Sequence, residues 1–290
     1  MAKGTKELKR RITGVRNIQQ ITRAMEMVAT QKLKRLQMRA EAVRPFSDKI
    51  QQLVARLVGS VRPDLSPLLQ EREVRVTADL VVSADKGLCG AYNMNLVRLV
   101  QAEIPRGAGD KHRVRVLGTK GATLLRVRGI DMQGVYEDNV EKIDSTRARN
   151  IARELMAEFV AGHVDQVRVL HTAFHSATQQ KPVAVTLLPI RPEALGAGGG
   201  AAAGPADVII EPSADEVLRR LLPRSIEIRV YSAILESLAA EFTARRNAMK
   251  QATDAADEMI SALRRQYNRA RQESITKELL EVVSGAEALK

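Results

Sequence analysis

The sequence predicts an α/β protein: long N- and C-terminal helices paired as an antiparallel coiled coil, with an α/β domain inserted between them. Three observations carry that expectation. Between Pro223 and Gly285 stand 61 consecutive residues without proline or glycine. Ala2–Leu57 carries one apolar stripe at helical spacing. Between these ends the rhythm changes to short β-branched runs alternating with helical segments.

The composition agrees. At 290 residues the chain has room for one large domain or two modest ones. Hydrophobic residues make up 44% and charged residues 28%, which excludes wholesale disorder. Four Tyr, four Phe and no Trp leave little aromatic volume for a thick core, and favour long helices packed through aliphatic side chains. The single cysteine, Cys89, excludes a disulfide framework and a thiolate zinc site within one chain. The longest apolar run, Val183–Ile190, includes Thr186 and Pro189 and is far shorter than the roughly 20 residues of a membrane span. The N-terminus is basic but lacks the apolar segment of a secretory signal, so a cytoplasmic protein is expected.

Net charge is +12, and its placement is uneven. Residues 1–60 carry 14 Lys/Arg against 4 Asp/Glu, whereas the rest of the chain is nearly balanced. A basic N-terminal helix can meet nucleic acid, an anionic membrane surface or an acidic protein partner, or can simply be a solvated face.

In the first segment, the apolar positions Leu8, Ile12, Val15, Ile18, Ile21, Met25, Val28, Leu33, Leu36, Val43, Phe46, Ile50, Leu53 and Leu57 advance by threes and fours or their sums. Pro45 is expected to kink this helix or to start a new one. Unbroken, it would reach about 84 Å.

The middle segment offers strands at Asp79–Ser83, Val114–Leu117, Val167–Ala173 and Val183–Leu188, with helical character at Asn93–Ile104, Gly121–Arg128 and Ser145–Gly162. That alternation implies a largely parallel sheet and a Rossmann-like domain over residues 74–222. The Gly/Ala-rich stretch at 192–205 is expected to be a mobile loop.

The third segment, 224–290, carries a seam stepping by three and four: Leu235, Leu238, Phe242, Arg245, Met249, Ala252, Ala256, Met259, Leu263, Gln266, Ala270. A 3.5-residue period implies a left-handed supercoil, and small Ala lets a partner helix come close. Arg245 and Gln266 interrupt the seam, as register-setting residues or as a solvated stretch. Gly285 is expected to stop the helix. A helix of about 90 Å needs a partner of similar length, which residues 1–60 supply.

Chemistry-bearing motifs are sparse. Gly196-x-Gly198-x-x-Ala201 fits the loose dinucleotide fingerprint but lacks a strand before it and a helix after it. No GxxxxGK[ST] loop is present. His171 and His175 would lie about 13 Å apart on one strand, too far to share a metal. Cys89 sits near a helix start that could lower its thiol pKa, or is a buried small hydrophobe. Asp85-Lys86-Gly87 has the look of a turn before a helix. No acid/base or nucleophile constellation emerges, so catalysis by this chain alone is not expected.

Three stretches carry a resemblance: Ile21–Ala29 (ITRAMEMVA), Ser83–Asn93 (SADKGLCGAYN) and Tyr267–Ala286 (YNRARQESITKELLEVVSGA). Together they resemble the γ subunits of F-type ATP synthases. The last fits the family signature [IV]-T-x-E-x-x-[DE]-x-x-x-G-A at Ile275, Thr276, Glu278, Glu281, Gly285 and Ala286. The likeness covers the chain in order and begins by Leu8, so a cleaved presequence is not expected. Plant relatives carry an inserted segment with a cysteine pair. One cysteine cannot form that switch, so the resemblance is to the non-photosynthetic bacterial type.

The resemblance implies a rotor shaft. Residues 1–60 and 224–290 would stand inside a ring of α and β subunits, and residues 74–222 would lie against ε and the membrane ring of c subunits. Nucleotide and Mg would be held by the α and β partners, with no cofactor on this chain. Coupling contacts would fall on Met25, Arg245, Gln272, Thr276, Glu278 and Glu281. The location would be the cytoplasmic face of a bacterial cell membrane. The competing reading is a basic coiled-coil protein binding nucleic acid or an anionic membrane surface. Residues 1–45 contain no aromatic residue, which disfavours a single-strand binder.

Overall fold

A computed structural model describes residues 3–58, 65–104, 111–191 and 213–287. The chain divides into two compact units, one of residues 1–31 with 245–290 and one of residues 32–244. Both terminal helices, α1 (Lys3–Val58) and α5 (Ala214–Glu287), contribute to each.

In the second unit, a five-stranded sheet is built from β1 (Thr77–Val82), β2 (His112–Leu117), β3 (Gly134–Tyr136), β4 (Gln166–Phe174) and β5 (Gln180–Leu188), in the order β3-β2-β1-β4-β5. The first four run parallel, and β5 returns antiparallel along β4. Between them come α2 (Tyr92–Glu103), α3 (Thr119–Val127) and α4 (Ser145–Val160). The expected strands and helices are all present, with small shifts at their ends. β3 escaped the sequence reading because three residues are too few to show a period.

Every residue of β1 is buried, as a central strand covered on both faces requires. Val81, Val114, Val116 and Leu170 pack under α2 and α3 through Leu96, Val97, Val100 and Leu125. On the opposite face, Arg115 of β2 pairs with Glu158 of α4, and Arg229 of α5 donates to the Thr186 carbonyl at 2.8 Å. The buried Asp79 carboxylate accepts from Arg168 Nε of β4 at 2.8 Å and contacts His112 Nδ1 of β2 at 2.7 Å, which joins three neighbouring strands. At Gly121, after β2, a Cβ would stand 2.0 Å from Ser83 Oγ, so the β1 and β2 ends meet only because a glycine is there.

The terminal helices depart from expectation at three points. α1 runs through Pro45, which is exposed, so the Glu41 carbonyl it leaves unbonded can be hydrated. α5 begins at Ala214, not 224, and contains Pro223. It also passes through Gly285 instead of stopping there. The Gly/Ala stretch at 192–205, with the Gly196 fingerprint, lies outside the described residues.

Candidate functional site

Doubly wound sheets bind ligands outside the carboxyl ends of the strands, where the connections switch direction. Here that place lies between β1 and β4, and α5 fills it. The Thr172 N–H donates to Ser237 Oγ at 3.2 Å, and Ser237 Oγ donates to the Val82 carbonyl at 3.3 Å. Beside it, Ala240 packs with Ala84, Cys89 and Tyr92. Burial pushes the Tyr92 phenol far above its ordinary range, and it shares a hydrogen bond with Ser237. The crevice thus holds a helix of the chain itself in the position of a ligand.

The turn residue Asp85 is structural as well: its carboxylate accepts from the backbone N–H of Thr119 at 3.2 Å and of Val140 at 2.9 Å. Cys89 is buried, in accord with the hydrophobe reading, with Asn93 Nδ2 at 3.3 Å from its sulfur. His171 lies in β4 and faces Glu236 at 3.3 Å, whereas His175 follows the strand. Among the described residues no three His, Cys, Asp or Glu side chains gather as a metal would need.

The other unit is a pair of helices. Gln19 Nε2 donates to Asp257 Oδ1 at 2.5 Å, and the Thr22 and Thr253 hydroxyls meet at 2.8 Å. As the number rises along α1 it falls along α5, so the pair is antiparallel. Covered positions on α1 follow a heptad through Thr5, Leu8, Ile12, Val15, Gln19, Thr22, Glu26 and Ala29. On α5 they pass through Met249, Thr253, Ala256, Ile260, Leu263, Tyr267 and Ala270.

This corrects the seam read from the sequence. Met249, Ala256, Leu263 and Ala270 hold their places, but the alternate positions fall one residue later, so Met259 and Gln266 are exposed. Gln266 therefore interrupts nothing. On α1, Ile18, Ile21 and Val28 lie outside the seam, at 56%, 59% and 52% exposure. The sequence reading followed large apolar residues, whereas the inner face mixes them with small and polar ones, Thr22, Ala29, Thr253 and Ala256 among them, that let the helices approach. The missed signal was the pair Thr22 and Thr253.

The six residues taken from the resemblance do not form one cluster. Met25 is half-buried beside the seam, and Arg245 is buried at 8% exposure. Gln272, Thr276, Glu278 and Glu281 are exposed on the last turns of α5, where Ser274 Oγ donates to Glu278 Oε1 at 3.3 Å. Arg245 and Gln272 are separated by about 40 Å of helix. Two stations result. Around the second, Ile275, Leu279, Leu280, Val282 and Val283 are exposed too, a set of apolar side chains in which Leu279 and Leu280 were not singled out from the sequence. The basic side chains Lys6, Lys9, Arg10, Arg11, Arg16 and Arg23 all face outward on α1.

A family model described as ATP synthase matches residues 4–289. The ATP synthase gamma chain of Moorella thermoacetica is 41% identical over 285 residues, spanning 98% of this chain and 99% of its own length. That of Heliobacterium modesticaldum is 43% identical over 289 residues, spanning 99% of each. The chain belongs to the ATP synthase gamma-chain family.

Solved structures share the fold. A rotor structure of the Euglena gracilis mitochondrial ATP synthase matches at a TM-score of 0.66 with 16% identity, over 94% of this chain and 99% of that one. A central stalk and c-ring structure from the Tetrahymena thermophila enzyme matches at 0.59 with 24% identity, over 80% and 99%. A gamma chain with α5 lodged in its own sheet uses a ligand-binding architecture to grip a helix. Among the described residues, no helix is long and apolar enough to cross a membrane.

Proposed function

We propose that this chain is the central rotor shaft of an F-type ATP synthase. It couples ion-driven rotation of a membrane c-ring to ATP synthesis, or hydrolysis, at sites on surrounding β subunits, and it is a non-catalytic subunit. The observation that carries the reading is an antiparallel helical pair that leaves several large apolar side chains outside its seam, in a member of the gamma-chain family. Outward Ile18, Ile21 and Val28 suit an enclosing sleeve better than water.

The physical task is reciprocal coupling: nucleotide state biases shaft angle, and shaft angle biases nucleotide affinity by the same free energy. That requires a surface that differs around its circumference. The pair supplies one, with apolar Ile18, Ile21 and Val28 on α1 set among outward-facing lysines and arginines. A ring subunit facing this surface meets different chemistry at each angle.

The partners in this reading are the α and β subunits around the pair and the ε subunit and c-ring against the α/β unit. Nucleotide and Mg are bound by the α and β subunits. The location is the cytoplasmic face of the cell membrane, with membrane contact through the c-ring alone. Met25 and Arg245 act at one station and Gln272, Thr276, Glu278 and Glu281 at the other. The nucleic-acid reading has no support in the family match.

Capture of the chain from membranes should bring α, β, ε and c subunits with it, and their absence would overturn the shaft reading. Arg245→Ala and Glu278→Ala in the assembled complex should lower ion-driven synthesis more than assembly. If synthesis, hydrolysis and assembly all stay unchanged, the residue assignment falls while the shaft reading stands.

A further inference from the structure

We propose that Thr22 and Thr253, with Gln19 and Asp257 one turn away, are positioning residues that fix the axial register of the two helices. The covered face here is built from small side chains at 22, 29, 253 and 256. Such a face discriminates poorly between one heptad register and the next, because few large knobs must find holes. Polar groups at seam positions set register at a cost in stability.

Proton accounting shows how the threonine pair does this. Thr22 Oγ1 lies 3.0 Å from the Gln19 carbonyl, and Thr253 Oγ1 lies 2.9 Å from the Met249 carbonyl. The two hydroxyls also stand 2.8 Å from each other. Two hydroxyls carry two protons, and three contacts compete for them. One hydroxyl donates to its own helix while the other donates across, and the roles can exchange. The cross-bond therefore exists in either arrangement, provided the helices are level. Gln19 Nε2 to Asp257 Oδ1 marks the same level one turn along.

A slip of one heptad breaks all of this together. With Thr22 facing Ile260, Thr253 would face Ala29, Gln19 would face Arg264, and Asp257 would face Glu26. Each threonine hydroxyl would meet an apolar side chain, Gln19 would lose its acceptor to a cation, and the Asp257 and Glu26 carboxylates would oppose each other.

The test is disulfide trapping in the full-length chain, with Cys89→Ala as background. Val15→Cys with Ile260→Cys reports the native register, and Val15→Cys with Tyr267→Cys reports the slipped one. The parental chain should form the first disulfide in clear preference. Thr22→Val with Thr253→Val should raise the ratio of slipped to native product about fivefold, the effect of one lost hydrogen bond. Thr22→Ser with Thr253→Ser keeps both hydroxyls and should restore the parental ratio. An unchanged ratio in the valine pair, or a serine pair that behaves like it, would overturn the proposal. So would a parental chain that traps the slipped pair as readily as the native one.

Discussion

The two units use the same two helices in opposite ways. Among the described residues, the largest fully buried side chains lie within residues 32–244, among them Leu80, Leu96, Phe159, Leu188 and Leu222. In the helical pair none of that set occurs. There small or polar Thr, Ala, Gln and Glu take about half of the seam, beside Leu8, Ile12, Val15, Met249, Ile260, Leu263 and Tyr267. Further large apolar residues, Ile18, Ile21 and Val28, face outward. α5 changes accordingly. From Ser225 to Thr243 it is buried nearly all round, gripped by the sheet, whereas from Ile275 onward its described side chains are exposed. One region supplies its own core. The other keeps its apolar surface for something outside itself, which is what a shaft in a sleeve requires.

Core deletions should accordingly cost very different amounts in the two regions. Phe159 is fully buried, lies under the Arg72 guanidinium at 5.0 Å, and offers its carbonyl to Arg72 Nη1 at 3.2 Å. Phe159→Ala should cost about 3–5 kcal/mol, close to the whole stability of many domains. Ile260, which faces inward in the pair, should cost about 2 kcal/mol when cut to Ala, since one side of that seam can relax. Urea unfolding followed by far-ultraviolet circular dichroism would measure both. Equal losses would mean that the pair has a core as dense as the sheet.

A finer question is how the sheet holds α5. Ser237 is 1% exposed and serves both Thr172 N–H and the Val82 carbonyl. Ser237→Ala leaves both groups short of a partner, at a cost of about 1–2 kcal/mol. The same change at the half-buried Ser274, which donates to the Glu278 carboxylate on its own helix, should cost a few tenths of a kcal/mol at most. A silent Ser237→Ala would show that the Ser237 bonds are not what holds the helix in the crevice.

Much of this was legible in the sequence, for reasons that particular residues make plain. The β-branched runs at Asp79–Ser83 and Val167–Ala173 sit in strands largely buried on both faces, where Val and Leu dominate and the buried polar groups such as Asp79 are paired, so their signal was clean. The 61 residues after Pro223 could hardly be anything but helix. The phase of the seam was not legible. Ile18, Ile21 and Val28 look like core by every hydropathy rule, and the rule fails because a partner outside the chain can take them. Thr22 and Thr253 read as surface residues until their hydroxyls are seen to face each other. Ser237 and the filled crevice were out of reach for a related cause: β1, β4 and α5 are far apart in sequence, and nothing local marks their meeting.

The smallest effect expected is a pH dependence confined to the α/β unit. The Asp165 carboxylate accepts from Val76 N–H and Arg75 N–H, both at 3.0 Å, and so ties the entry of β4 to the entry of β1. The Val76 bond leads, the Arg75 bond and the nearby Arg72 and Arg75 charges add to it, and together they hold this carboxyl below the usual carboxylate range. A depressed pKa in the folded chain favours the ionised form there, so its contribution is present above about pH 4, the ordinary value. It is lost as pH falls through the lower folded value. Asp165→Asn removes the charge and keeps one acceptor. The variant should therefore be slightly less stable than the parent at pH 7, and the gap should close below about pH 4. Comparing urea midpoints of the two chains at each pH cancels the other carboxylates, which titrate alike in both. A gap of constant size from neutral to acid pH would mean that shape, not charge, holds the two strand entries together.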